Sequence, residues 1–366
     1  MNLQKLRSEI KERVGDPRRT RYGNVKHTLE TLIIIGVCTI MCGGEDYVDM
    51  ETFGVERLEW FQKIIPDLTI IPDSDTFRRT FERLNPSELS NCLYKWLDAH
   101  TKKEKRQINI DGKTICGSRG NSKRAVHVVS AWANDMNLTL GEIAVDEKSN
   151  EITAVPELLD MIDVDGCIVT ADAMSCQRKI VEKVAEKKAD YVIALKANQE
   201  NLYDDVKLYF EDFKQECKVA KTFDGEHGRR EWRSYYLETD IDWLYGKENW
   251  KSLAAIGMVH NKVEEKGVER HETRYYITSL VDVEQFALSV RGHWSIENRL
   301  HWMLDVALRE DAAKAKKDNS PLNMNVLRKV SLHLLQSYSA GRLGVRKKMF
   351  KAALNPEVML NILLKK

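Results

Sequence analysis

Residues 106–148 read RQINIDGKTICGSRGNSKRAVHVVSAWANDMNLTLGEIAVDEK, and this stretch decides the fold. It holds three runs rich in β-branched residues, RQINIDGKT, AVHVVSAW and LTLGEIAVDEK, separated by the turn-rich GSRGNSK and ANDMN. Such runs, bounded by Gly, Asn, Asp and Ser, predict three consecutive strands joined by short turns. The pattern then changes. A helix is expected at Val155 to Ile162, a strand at Cys167 to Ala171 and a helix at Gln177 to Lys187. A strand at Asp190 to Leu195 and an acidic helix at Glu200 to Gln215 complete the series.

The order β-β-β-α-β-α-β-α is that of the ribonuclease H-like fold, an α/β (α+β) architecture. Its first and fourth strands are neighbours, so the carboxylates that close them, Asp111 in QINIDGKT and Asp172 in CIVTADAM, are expected side by side. Each has a plainer reading, Asp111-Gly112 as a turn and Asp172 as a helix cap. Glu297, in RGHWSIENRLHWMLDV, shifts the balance. It shares a helical stripe with Leu300, Leu304 and Leu308, at i+3, i+7 and i+11, and is predicted to face inward. A carboxylate on an apolar stripe is costly unless it is paired or ligates a cation. Three convergent carboxylates raise one another's pKa, and two divalent cations remove that repulsion. The expected separations are about 4–8 Å, the reach of two cations roughly 3.5–4 Å apart. Hard cations held this way against a phosphate point to a metal-dependent nuclease or DNA-strand transferase. Glu310 and Asp311 are the rival acids and are expected to form surface pairs. Trp294 and Trp302 flank Glu297 and are expected to pack, with stacking on a flipped base as the alternative.

Outward from this core, the first hundred residues are expected to be helical. An apolar helix is predicted over 24–42, and a second, DSDTFRRTFERL, over 73–84 with Ser74 or Asp75 as cap. On the latter Arg78 and Arg79 are either a solvated face or DNA contacts. Strand-like runs RREWRSYYLET, LAAIGMVHN and ETRYYITSL between 218 and 281 predict a β-rich insertion. Expected regions are therefore a helical N-terminal DNA-binding or accessory domain (1–100), a catalytic core (105–217 with 282–318), the insertion (218–281) and a basic helical C-terminal region (319–366).

At 366 residues the chain is long enough for two or three full cores. Its net charge of +1 means that any basic surface must be local. From Arg309 onward thirteen Lys and Arg face four Asp and Glu, and residues 102–124 carry eight basic residues against two acidic ones. Lys123 and Arg124, Arg229 and Arg230, and the run Arg346, Lys347 and Lys348 are the candidate DNA-phosphate contacts. Seven scattered cysteines predict reduced thiols and a cytoplasmic, nucleoid-associated location rather than a disulfide framework. The run 32–42 is too short to cross a bilayer. Gly112-Lys113-Thr114 imitates a phosphate-binding loop, but Gln107 stands where that loop needs glycine.

The segments INIDGKT, AVHVVSAW, DEKSNEITAVPELLDMID, TADAMSCQ, RYYITS and HWSIENRLHWMLDV, with the ED that follows, resemble those of the H-repeat-associated, ISAs-type transposases of bacterial insertion sequences. The similarity runs nearly end to end. It implies a DDE transposase with a ribonuclease H-like core and two Mg²⁺ ions, for which Mn²⁺ can substitute. Its substrate would be double-stranded DNA, both transposon ends and target, and it would assemble as a homodimer or higher oligomer on DNA without a membrane. By position the triad is Asp111, Asp172 and Glu297. Related transposases with a strand insertion carry Tyr, Arg and Lys around the last Glu, where this chain has Val290, His293 and Leu304. Arg291, His301 or a residue from the insertion is the candidate for that phosphate-handling role. Two other readings remain open, a catalytically silent DNA-binding derivative and a stand-alone ribonuclease H-like nuclease.

Overall fold

A computed structural model describes residues 3–18, 25–99, 106–120, 124–145, 151–226 and 228–365. Six helices come first: α1 (Leu3–Arg13), α2 (Leu29–Met41), α3 (Tyr47–Glu56), α4 (Leu58–Ile64), α5 (Ser74–Arg83) and α6 (Pro86–Asp98). The sequence of α2, LETLIIIGVCTIM, is apolar all round, and all of its residues are buried. Helix α5 starts on Asp73, whose carboxylate accepts from Thr76 N, so the cap lies one residue before those expected.

The predicted core elements follow: β1 (Gln107–Ile115), β2 (Val126–Ala133), β3 (Leu138–Val145), α7 (Glu151–Met161), β4 (Ile168–Ala171), α8 (Arg178–Glu186), β5 (Asp190–Leu195) and α9 (Glu200–Phe213). Then come β6 (Lys218–Glu226), β7 (Arg229–Glu238), β8 (Ala255–Glu265), β9 (Val268–Thr278) and α10 (Val283–His293). Strands β1 and β2 pair antiparallel, as do β2 and β3, whereas β1 and β4 run parallel with Ile110 opposite Ala171. The sheet order is β3-β2-β1-β4-β5-β9-β8-β7-β6. Its first five strands have the ribonuclease H-like arrangement. The four strands of 218–281 continue the same sheet, because β9 pairs antiparallel with β5. Strand β6 matches none of the strand-like runs expected from the sequence. It is the exposed edge, with Val219 and Phe223 facing solvent, so burial left little trace in its residues.

Beyond α10 the chain makes a π-helical turn (Ile296–His301), then α11 (Trp302–Val306), α12 (Ser320–Ser337), α13 (Val345–Leu354) and α14 (Pro356–Leu364). Apolar residues of α1 to α6 share one core with those of α12 to α14, and Trp132, Ile296, Leu300 and Leu304 enter it. The two ends of the chain thus close on one another. A second core lies between the sheet and helices α7 to α9, and a third between α10 and strands β5 to β9. Among the described residues, no helix is long and apolar enough to cross a membrane.

Candidate active site

Asp111 and Asp172 follow the paired residues Ile110 and Ala171, which places the two acids where the parallel β1–β4 pairing stops. Asp172 follows the end of β4, but Asp111 lies within β1, opposite Ser130 of β2, because β1 runs on against β2 to Ile115. Residue alternation sends Asn109 and Asp111 to the α10 side of the sheet. Asn109 is fully buried and donates to Gly292 O (2.8 Å), His293 O (3.3 Å) and Ser295 Oγ (3.1 Å). Its own oxygen accepts from Gln107 Nε2 and Thr170 Oγ1, both at 2.8 Å. Thr170 Oγ1 in turn lies 2.8 Å from His293 Nδ1. Gly292 makes this seat close enough, since a Cβ there would lie 2.3 Å from Gln107 Oε1. This polar network docks the end of α10 on β1 and β4, and so brings the turn carrying Glu297 over both acids. Asn109 and Thr170 escaped the sequence reading because a polar residue inside a strand carries no motif.

Asp111, Asp172 and Glu297 border one cavity of about 480 Å³, together with Thr170, Lys196, Tyr203, Arg274, His293 and Trp294. Asp172 Oδ1 accepts from Ser175 N (3.2 Å), so this acid also caps the turn after β4. Asp111 Oδ1 accepts from Gly112 N (2.9 Å). Burial, followed by the Glu297 charge, pushes the Asp111 carboxyl up to about 8. Glu297 is held below its ordinary value, chiefly by His301. The two carboxyls therefore titrate as a pair.

The inward stripe expected for Glu297 is corrected. Leu300, Leu304 and Leu308 are buried at 0, 0 and 5 % exposure, but the Glu297 side chain is 53 % exposed. The π-helical turn inserts extra backbone between Glu297 and the leucines, which rotates the acid off their face and toward the cavity mouth. Sequence periodicity at 3.6 residues per turn has no way to register that insertion.

His301 is buried on the same turn, not on an outer face. Its Nδ1 lies 3.4 Å from Glu297 Oε2 and 3.6 Å from Asp111 Oδ2. One donor atom each from Asp111, Glu297 and His301 fall within 4.8 Å of one another. Burial lowers the pKa of His301 and brings that of His293 down to about 4, so both rings are neutral. Val290 lines the cavity, whereas Leu304 is wholly buried in the helical core.

Glu310 is likewise corrected. Instead of a surface pair it is fully buried, accepting from Asn325 Nδ2 (2.6 Å) with Lys113 Nζ at 3.2 Å. The apolar closure of α12 over this turn leaves it no route to solvent. Trp294 and Trp302 are 42 and 56 % exposed, so neither is core packing. Arg274 lies over the Trp294 ring at 4.5 Å from its centroid.

The basic candidates do not converge on the acids. Arg78 and Arg79 pair with Asp75 on their own helix, and Arg78 also with Glu82. Arg229 and Arg230 stand at the β6–β7 turn, near Glu231 and Glu264 respectively. Arg291 reaches Asp224 of β6 at 2.7 Å. Arg346 and Lys347 are exposed on α13, whereas Lys348 is buried and donates to Leu335 O (2.9 Å) and Tyr338 O (2.6 Å). Lys348 thus satisfies the last carbonyls of α12, a position that withdraws it from the surface. Arg124 is exposed, and Lys123 lies outside the described residues.

The family model described as Transposase DDE domain matches residues 67–334, and that described as DDE_Tnp_1-associated matches 10–97. YhhI of Escherichia coli (strain K12) is 34 % identical over 99 % of this chain and 98 % of its own. YncI of Escherichia coli O157:H7 is 35 % identical over 93 % and 90 %. Both carry transposase in their names, and that of YhhI also carries the H repeat. A piggyBac transposase in a synaptic complex with hairpin DNA superposes over 99 % of this chain and 78 % of its own, with 11 % identity and a TM-score of 0.42. The chain belongs to the DDE transposase family, among its H-repeat-associated members.

Proposed function

We propose that this chain cleaves phosphodiesters at transposon ends and transfers the strands, using two divalent cations held by Asp111, Asp172 and Glu297. The observation that carries this reading is that three acids from chain positions up to 186 apart border one cavity, the first two where the pairing of adjacent parallel strands stops. The donor set fits hard cations. A carboxyl pushed up to about 8 beside a second acid is an arrangement that bound positive charge stabilises. Bound cations supply an activated water or DNA 3′-hydroxyl and neutralise charge at the departing oxygen.

The chain's own contribution is positioning. The Asn109 network fixes the helical turn of Glu297 against the strands of Asp111 and Asp172. Neutral His293, held by Thr170, adds a polar group to the cavity wall without adding positive charge. Exposed Arg229, Arg230, Arg346, Lys347, Arg78, Arg79 and Arg124 would hold DNA backbones through sequence-independent, salt-sensitive contacts. Arg291, paired with Asp224 of β6, would likewise hold DNA backbone away from the acids. The helical end regions would serve as the DNA-binding and accessory parts, the protein acting as an oligomer on DNA in the cytoplasm.

The test uses a labelled duplex carrying the terminal sequence of the protein's own element, with Mg²⁺ or Mn²⁺. Joining that depends on the end sequence supports the proposal. Binding without nicking points to a silent DNA-binding derivative, and cutting without end preference to a general nuclease.

A further inference from the structure

His301, expected to handle phosphate, instead lies against the acids. His301 is only 5 % exposed, and its Nε2 has no hydrogen-bond partner among the described residues. Nδ1 points at two carboxylate oxygens, at 3.4 and 3.6 Å. Charge-assisted hydrogen bonds between nitrogen and carboxylate close to about 2.7–2.9 Å, so these separations are too long for that role. They do match ligand atoms arranged around a common ion. With metal–nitrogen and metal–oxygen bonds of about 2.0–2.2 Å, neighbouring ligands stand roughly 3–3.6 Å apart.

The three residues come together for a reason specific to this backbone. Glu297 and His301 occupy the π-helical turn, while Asp111 reaches them from β1. Turns of this kind concentrate at functional sites because they re-aim side chains that a regular helix would spread.

We propose that His301 is a nitrogen ligand, together with Asp111 and Glu297, to one of the two cations, so that this position prefers Mn²⁺ or another first-row divalent ion to Mg²⁺. The inference rests on the DDE reading above and deepens it. Imidazole suits first-row transition ions, whereas Mg²⁺ favours oxygen donors and keeps its waters. Ligation through Nδ1 places the ring proton on Nε2, which has no acceptor among the described residues.

The experiment uses the full chain without DNA, in nitrogen-free buffer, titrated with MnCl₂ alone and followed by electron paramagnetic resonance. Loss of the free-ion signal measures affinity, and electron spin echo modulation of the bound ion reports a directly coordinated ¹⁴N. The wild-type protein is expected to show that modulation. H301A should lose it and bind Mn²⁺ about tenfold or more weakly, with Mg²⁺ affinity, read by competition, changing far less. Bound Mn²⁺ without nitrogen modulation in the wild type overturns the proposal, and this arm needs no variant to fold. Modulation that persists in H301A also overturns it. If D111N abolishes Mn²⁺ binding while the wild type shows no nitrogen, the triad stands and only the His301 role falls. If neither D111N nor E297Q weakens Mn²⁺ binding, the triad falls and takes the histidine with it.

Discussion

Two charged clusters sit on the same pair of elements and have opposite characters. Strand β1 supplies Asp111 to one and Lys113 to the other, and the segment after α10 supplies Glu297 and His301 to the first, Asp305 and Glu310 to the second. In the second cluster Lys113 Nζ lies 2.7 Å from Asp305 and 3.2 Å from Glu310, and Asn325 completes the set. Cation faces anion, and Glu310 stays ionised at full burial, held below its ordinary value by Lys113 against the cost of desolvation. In the first cluster acids face acids and a neutral ring, and burial with the Glu297 charge raises the Asp111 carboxyl. A buried acid with its own cation is structural, and one without is a place prepared for charge from outside.

The largest expected effect separates the clusters by chemistry. D111N and E297Q should abolish cleavage while leaving end binding nearly intact, whereas E310Q should cut at close to the wild-type rate per folded molecule. A dead but folded E310Q protein would erase the distinction between the clusters.

Stability should move the other way. K113M leaves Glu310 buried without its cation and is expected to cost about 3–5 kcal/mol in chemical unfolding. D111N replaces a carboxyl that is costly to ionise at this site and should cost little or stabilise. A K113M variant as stable as wild type would show that the pairs of Lys113 with Asp305 and Glu310 do not hold the segment after α10 to β1.

The pH response sharpens the comparison further. Asp111 has a raised pKa in the folded state, so folding takes up a proton between the ordinary carboxyl value near 4 and about 8. Stability should therefore decline as pH rises through that window, level off above it, and recover at pH 8 when Mn²⁺ is added. D111N should flatten the slope. Unfolding curves at stepped pH, with and without Mn²⁺, provide the check, and an identical slope in D111N would reassign the effect.

The smallest effect lies far from both clusters. Neutralising Arg229 and Arg230 should lower the log–log salt slope of DNA binding by roughly one unit for each phosphate they hold, equally for end and random DNA. The same is expected of Arg346 and Lys347. Lys348 should instead change stability, because its ammonium is occupied by the α12 carbonyls. Affinity against salt for each set separately distinguishes these outcomes.

The amino-acid sequence determined the order of core strands and helices, because alternation, helical spacing and turn residues are local and survive without tertiary context. That order, read as ribonuclease H-like, put Asp111 and Asp172 together, since β1 and β4 are neighbours in that fold and pair here. Only the folded chain decided the rest. It joined β9 to β5, which made the region 218–281 a continuation of the sheet. It closed α12 over Glu310 and turned a pair expected at the surface into a buried anchor. It also set a π-helical turn under Glu297, moving that acid off the leucine stripe and bringing His301 beneath it. These features depend on which distant surfaces pack together, and spacing along a chain encodes contacts within an element far better than contacts between elements a hundred residues apart.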